Sequence, residues 1–183
     1  LMVFGLYIFY FYPSPLTFML SVIIIGSRQF ALAVLAHDGA HNLLFSNLRV
    51  NDFISQWFCA YPIFQDNRVY RPYHLKHHRF TETDDDPDLT LSAPFPISKK
   101  SFMRKVARDM TGLTGYKRYK ASLSSILMTE ASNPLDKIKK IWNKIHGFLI
   151  VNTLILILIS IFFHWSLYFL LWWVPAFTYY SLI

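Results

Sequence analysis

The distribution of charge along the chain is the feature that most constrains its fold. Residues 1–27 and 145–183 contain no Lys, Arg, Asp or Glu, while the segment between them holds all eleven acidic and all eighteen basic residues. A polar block between two charge-free apolar arms is typical of a membrane protein with one large aqueous face. The 54% content of hydrophobic residues is also high for a soluble domain of 183 residues.

The apolar runs predict an all-α, multi-span membrane protein. A helix needs about 20 apolar residues to cross a hydrocarbon core of roughly 30 Å, so residues 1–12 are expected to be the end of a truncated span. The chain also ends inside an apolar run. We therefore expect a fragment, one domain truncated at both ends, with these predicted spans: 1–12, 16–36, 147–163 and 165–183.

The breaks between these runs predict the topology. Pro13-Ser14-Pro15 and His164-Trp165 are short turns, so each joins two spans into a helical hairpin. The polar block 37–146 becomes a helical insertion between the two hairpins, and its excess of Lys and Arg places it on the cytoplasmic side. The predicted elements of this block are helices at 51–60, 70–80, 99–110 and 134–146, with a loop at 81–98.

Isolated polar residues within or beside the apolar runs have structural interpretations. Arg28 lies within the second predicted span and is expected to extend toward the polar face, or to help shape an active cavity. His146 and His164 each stand alone at the end of an apolar run and are expected to be interfacial anchors. Because Cys59 is the only cysteine, an internal disulfide and a zinc site of several cysteines are excluded.

Five of the seven histidines form two closely spaced groups. His37 and His41 have the pattern H-x-x-x-H, and His74, His77 and His78 have the pattern H-x-x-H-H. On a helix, positions three or four residues apart share one face, so each group directs its imidazoles toward one side. The first group lies where residues 16–36 leave the membrane and the second lies in the same polar block. We therefore predict that these five imidazoles form one metal site at the interface.

Neutral imidazole binds iron, zinc, copper or nickel, so the spacing alone does not select the metal. A zinc protease of the H-E-x-x-H type needs Glu where this chain has Asp38. A zinc transporter would place ligands at mid-membrane, and a bis-histidine haem site has no use for a group of three. Ligation by histidine without cysteine favours a non-haem iron centre for oxygen chemistry.

The two groups and their surroundings resemble the membrane fatty acid desaturase family. The resemblance is strongest over HDGAH at 37–41 and HLKHHRFTETDDDPD at 74–88. His37 and His41 match the family's first histidine box, and His74, His77 and His78 match its second. A third box follows the fourth span in that family and is absent from these 183 residues, so we expect the chain alone to be inactive.

The resemblance implies two non-haem iron ions held by more imidazoles than the five present. It implies that dioxygen and an external electron donor, a ferredoxin or a small haem cytochrome, are used to remove two hydrogens from neighbouring methylene groups. The substrate would be a lipid acyl chain that enters from the membrane plane. The protein supplies ligands, orientation and a dry cavity.

Two groups of charged residues have competing interpretations. Asp38, Asp86 and Asp88 are candidates to hold imidazole N–H groups in the correct tautomer, although the last two also fit a solvated acidic loop. The Lys and Arg residues between Lys99 and Lys144 are expected to contact anionic lipid headgroups, or else to dock an acidic electron donor. Nucleic acid is not an expected partner, because this basic surface faces a membrane.

Three alternatives to a desaturase are considered. A lipid or carotenoid hydroxylase or ketolase would use a similar di-iron site to add oxygen to the substrate instead of removing a second hydrogen. No residue in the chain distinguishes such an enzyme from a desaturase. A metal-binding membrane transporter would place its ligands on a transport path at mid-membrane. A purely structural membrane protein would retain its function after substitution of His74 or His77.

Overall fold

A computed structural model describes residues 1–182 of the chain. These residues form helices joined by turns, with no β-strand among them, which confirms the all-α prediction. The first two helices are α1, Met2–Phe11, and α2, Pro15–Ala40. The turn between them is closed locally, because the Thr17 N–H donates to Ser14 Oγ at 3.2 Å and the Thr17 hydroxyl donates to the Tyr12 carbonyl at 2.6 Å.

The helices that follow α2 correspond to the predicted helices at 51–60 and 70–80, and both begin earlier than predicted. Each begins at a side-chain cap: Asn47 accepts from the Arg49 N–H and Asp66 accepts from the Arg68 N–H. The first continues into a wide π-helical turn, which the sequence did not predict. The elements are α3, Leu48–Ile54, the π-turn Ser55–Ala60, a short 3₁₀ turn Tyr61–Ile63, and α4, Asn67–Phe80.

The rest of the polar block is more helical than predicted. The loop predicted at 81–98 contains one helical turn, and a helix with no counterpart in the predictions follows the helix at 99–110. The amphipathic segment 134–146 and the apolar run after it form one continuous helix, which Asn133 caps by accepting from the Asp136 N–H. These elements are α5, Leu89–Ser92, α6, Lys99–Met110, α7, Leu113–Leu127, and α8, Pro134–Phe162.

The span predicted over 165–183 is not one continuous helix in the described part, and Ile183 lies outside the described residues. Pro175 has no N–H to donate within the helix, and Thr178 leaves helical geometry with φ −106° and ψ −88°. The segments are α9, Ser166–Tyr168, a π-turn Phe169–Trp173, α10, Val174–Phe177, and α11, Tyr179–Leu182.

Two of the described helices, α2 and α8, are long and apolar enough to cross a membrane. Only 22% and 17% of their most apolar windows are buried inside the protein, so most of this apolar surface is available to lipid. α1 has 10 residues, fewer than a full span requires. The four-span topology with two hairpins and a cytoplasmic insertion stays a prediction.

The chain divides into two compact units. One comprises Leu1–Ala31 and Ala107–Ile183, and the other comprises Leu32–Val106. Within the second unit, Ala36, Cys59 and Ala60 are buried together, so the end of α2 packs on the π-turn. All the predicted metal ligands and their candidate carboxylate partners belong to this second unit.

Candidate metal centre

The end of α2 places His37 and His41 on one side of the helix. The helix stops because Asn42 adopts a left-handed conformation with φ 60°, which Asn tolerates better than most residues. The Asn42 and Leu43 N–H groups then donate to the Gly39 and Asp38 carbonyls at 3.1 and 2.9 Å, closing the helix end. The ring centroids of His37 and His41 lie 4.7 Å apart.

Four of the five predicted ligands form one cluster between α2 and α4. One ligand atom from each residue lies within 4.8 Å of all the others, and these residues are His37, His41, His74 and His78. The closest pairs are His41 Nε2 with His74 Nε2 and His78 Nε2 with His74 Nε2, each 3.0 Å apart. Two nitrogens at right angles on one ion are about 3.0 Å apart when each bond is about 2.1 Å. The donor set could hold a metal ion, because two of its nitrogen pairs already lie at this spacing.

The surroundings of His41 and His74 favour the neutral imidazole, the form that binds metal. Burial, and then the neighbouring histidines, lower the pKa of His74 to about 4. The same causes, with burial first, lower the pKa of His41. His74 is 9% exposed, so protonating it would place a charge in a poorly solvated position beside other imidazoles.

The fifth predicted ligand, His77, lies beside this cluster and has a different partner. Its Nδ1 lies 2.8 Å from a carboxylate oxygen of Asp86, and its ring centroid is 6.2 Å from that of His74. The hydrogen bond to Asp86 raises the pKa of His77. Burial would raise the pKa of Asp86, but hydrogen bonds from His77 and from two backbone N–H groups outweigh it, and that pKa is lowered.

Each of the three candidate carboxylates lies near an imidazole Nδ1. Asp38 Oδ1 is 3.2 Å from Nδ1 of His37, and Asp88 Oδ2 is 3.8 Å from Nδ1 of His77, farther away than Asp86. An ionised carboxylate only accepts hydrogen bonds, so such a contact assigns the proton to Nδ1 and leaves Nε2 as the ligand atom. A pocket beside His77 is lined by His77, Glu82, Asp88, Leu91 and Phe95.

Tyr73 is a contributor to this region that the sequence did not indicate. Its hydroxyl donates to Asp88 Oδ1 at 2.5 Å and to the Pro87 carbonyl at 3.1 Å. This hydrogen bond to Asp88 raises the pKa of Tyr73 to about 12, so the phenol remains a neutral donor. Tyr73 and Asp88 are 15 positions apart, and no spacing rule relates residues at that separation.

The remaining polar residues singled out in the sequence lie outside the cluster. His146 Nδ1 is 3.0 Å from the Trp142 carbonyl, and His164 Nδ1 is 2.8 Å from Ser166 Oγ. Arg28 is exposed on α2. Their roles at the membrane interface stay predictions, as does the role of the basic residues between Lys99 and Lys144.

Comparison with known proteins gives two matches. The family model described as fatty acid desaturase matches residues 13–183 of the chain. Dihydrorhizobitoxine desaturase of Bradyrhizobium elkanii is 40% identical over 72 residues, which are 38% of this chain and 20% of that protein. The chain thus spans about a fifth of the length of this relative. No solved structure gives a significant match.

Proposed function

Since the chain belongs to the fatty acid desaturase family, as the match over residues 13–183 shows, we propose that it is part of an oxygen-dependent membrane desaturase that introduces a double bond into a lipid acyl chain. The observation that carries this proposal is the cluster of four imidazoles with ligand atoms within 4.8 Å of one another. This cluster provides only histidine nitrogens and no thiolate, which suits non-haem iron.

The five histidines are proposed to be divided between two ions. His37, His41, His74 and His78 would hold one iron ion, because their ligand atoms converge. His77 would contribute to the second, since its Nδ1 is engaged by Asp86 and its Nε2 is left to bind metal. When bound, such a pair of ions supplies the activation of dioxygen needed to break an unactivated C–H bond.

Five histidines do not complete a two-ion site of this kind. One imidazole, His77, is not enough to hold a second ion, so the remaining ligands are proposed to come from other parts of the full protein. Residues 1–183 by themselves are proposed to be inactive for this reason. This proposal rests on ligand count and on the resemblance to the histidine-box desaturases.

The protein's own residues are proposed to orient the ligands. Asp38 and Asp86 hold the Nδ1 protons of His37 and His77, so that Nε2 is the atom available to metal. His74 is the buried member of the cluster, and its burial keeps the imidazole neutral. These contacts set the ligand atoms before a metal ion is bound, which reduces the reorganisation that binding requires.

The proposal also includes how the protein lies in the membrane and where an electron donor binds. α2 and α8 are the helices proposed to cross the bilayer, with the histidine cluster at the cytoplasmic interface where an acyl chain can approach from the membrane plane. The basic residues of α6, α7 and the start of α8 are proposed to contact anionic lipid headgroups or an acidic electron donor, a ferredoxin or a small haem cytochrome.

One other reaction and one other substrate can be tested at the same site. A hydroxylase with this ligand set would add one oxygen atom to the substrate instead of removing two hydrogens. The name of the Bradyrhizobium elkanii relative gives its substrate as dihydrorhizobitoxine, so that compound is a second candidate substrate for the same reaction.

Product analysis of the full-length protein tests the function. Membranes containing the protein are supplied with dioxygen, reduced ferredoxin and either acyl lipid or dihydrorhizobitoxine, and products are identified by mass spectrometry. We expect an acyl product that lacks two hydrogens, formed by the wild-type protein and by His146→Ala but not by His74→Ala. Metal flux without dioxygen consumption, or a product unaffected by His74→Ala, would contradict the proposal.

A further inference from the structure

We propose that Asn67 and Arg71 are positioning residues that fix the spacing between the two histidine groups, an inference that rests on the proposed metal-dependent function. Both residues lie on α4, before the histidines of that helix, and both donate hydrogen bonds to the backbone of α2. Their side-chain hydrogen bonds go to α2 carbonyls and to Asp52, so their proposed effect on the site is exerted through the position of α2.

The first step of the argument is the periodicity of α4. Asn67, Arg71, His74 and His78 are separated by four, three and four residues, so they occupy one stripe along the helix. The last two members of the stripe belong to the histidine cluster. The first two members therefore face α2 from the same side of α4 as the ligands do.

The second step is the set of contacts that this stripe makes. Asn67 Nδ2 donates to the Ala36 carbonyl at 2.8 Å, and Arg71 Nη2 donates to the Gly39 carbonyl at 2.8 Å. These two carbonyls flank His37 and Asp38 in the last turns of α2. The hydrogen bonds therefore hold the part of α2 that carries the first histidine group.

Backbone contacts of this kind fix the axial position of a helix. A slip of α2 by one residue would move each carbonyl by about 1.5 Å along the axis and by about 100° around it. Both hydrogen bonds would then be broken, and His37 and His41 would turn away from α4. The two donors thus select the one register of α2 in which the four imidazoles converge.

The donors are themselves held in place. Asn67 is 4% exposed, and its backbone N–H donates to Gln56 Oε1 of the π-turn at 3.0 Å. Arg71 also donates to Asp52 Oδ1 at 2.5 Å, which ties α4 to α3. The Asn67 backbone and the Arg71 side chain are thus each bonded to a second element, which limits the movement of both donors relative to α2.

Cobalt titration of the full-length, metal-depleted protein in detergent tests this inference. The test variants are Asn67→Asp, which keeps the shape but loses the donor, and Arg71→Met, which loses both guanidinium contacts. Matched controls are Asn143→Asp, at an exposed position of α8, and Arg79→Met, whose guanidinium lies over the Phe80 ring. Cobalt affinity and the visible absorption spectrum of bound cobalt are measured well below the unfolding temperature of each variant.

We expect the two test variants to bind cobalt about 10- to 100-fold more weakly and with an altered spectrum. The controls are expected to retain wild-type affinity and spectrum, and Arg71→Lys, which keeps one donor, is expected to recover part of the loss. Test variants that lower only the unfolding temperature, with unchanged affinity and spectrum, would overturn the inference.

If Asn67→Asp does not fold, the comparison of Arg71→Met with Arg71→Lys decides the question by the same criteria. The result also separates this inference from the proposed function. A wild-type protein that binds cobalt but forms no desaturated product would refute the function and leave the positioning role intact. Metal binding by Asn67→Asp and Arg71→Met at wild-type strength would refute the positioning role and leave the proposed function intact.

Discussion

The protonation of His74 links the histidine cluster to the stability of the fold. The lowered pKa of about 4 means that this imidazole stays neutral in the folded protein above that pH, whereas in the unfolded chain it is protonated below its ordinary pKa of 6.5. Between these two values the unfolded state binds a proton that the folded state does not, so stability falls as pH falls through this window.

We therefore predict that the metal-free protein is destabilised by acid in a way that depends on His74. The residue should account for at most about 3 kcal/mol of the free energy of unfolding that is lost between about pH 6.5 and about pH 4. The measurement is the unfolding temperature of metal-free protein in detergent at several pH values. The slope against pH should be smaller in His74→Asn than in the wild type and unchanged in His146→Asn.

A second prediction at this scale concerns Asp86. Replacing it with Asn puts an amide next to His77 Nδ1, so the imidazole is no longer held with its proton on that nitrogen. We expect Asp86→Asn to lower the affinity of the second metal ion by about 10- to 100-fold while the first ion is retained. Metal analysis of the full-length protein measures this. Asp85→Asn, at the exposed neighbouring position, is the control, and equal loss in both variants would contradict the role.

The histidines themselves were visible in the sequence because their spacing is local. His37 with His41, and His74 with His78, are one helical turn apart, and helix geometry alone puts each pair on one face. The contacts of Asn67, Arg71 and Tyr73 were not visible, because each joins positions that are distant in the chain. The contacts of Asn67 and Arg71 depend on how α2 meets α4, and that of Tyr73 depends on how the segment after α4 folds back. The pattern of a single helix encodes neither.

At the scale of the helices, the close approach of α2 to the π-turn depends on Gly39. A Cβ added at Gly39 would lie 2.2 Å from Ser55 Cβ, a distance that real contacts do not reach. Ser55 is fully buried. The absence of a side chain at Gly39 therefore permits the end of α2 to sit where Asn67 and Arg71 can reach its carbonyls.

Gly39→Ala is thus predicted to displace the end of α2. We expect a loss of about 1–3 kcal/mol in the free energy of unfolding, as is typical of overpacking, together with weaker cobalt binding. Adding Ser55→Gly removes the atom that the new Cβ meets, so the double variant should recover cobalt affinity relative to Gly39→Ala. Thermal unfolding and cobalt titration measure the two effects, and a double variant no better than the single one would contradict this steric explanation.

The elements that differ from prediction show that local sequence does not reliably indicate where a helix ends. The sequence indicated a boundary near residue 146, where charged residues give way to an apolar run, but α8 passes through it without interruption. A change in polarity marks a change in environment, and it does not interrupt backbone hydrogen bonds. Conversely, the sequence predicted one uninterrupted apolar helix over 165–183. In its described part the π-turn widens the helix and Thr178 leaves helical geometry.

At the scale of the whole molecule, the charge distribution predicts which parts of the protein share one side of the membrane. The polar block is expected on the cytoplasmic side because it carries nearly all the Lys and Arg, and the turn near His164 is expected on the opposite side. Helix α8 has 29 residues and a length of about 43 Å, which exceeds the hydrocarbon core of roughly 30 Å. Its basic first turns are therefore free to extend into the aqueous phase.

Cysteine labelling of intact and opened cells tests this arrangement directly. Cys59 is the only cysteine within residues 1–183 and is buried. A background in which it and every cysteine elsewhere in the full protein are replaced by Ala therefore leaves each introduced thiol as the sole target. We expect a thiol reagent that does not cross membranes to label Ser166→Cys in intact cells, because Ser166 directly follows the turn after α8. Lys117→Cys, in the polar block, should be labelled only after the cells are opened. Labelling of both positions from the same side would show that α8 does not cross the membrane, and the proposed site of acyl-chain entry would then have to be abandoned.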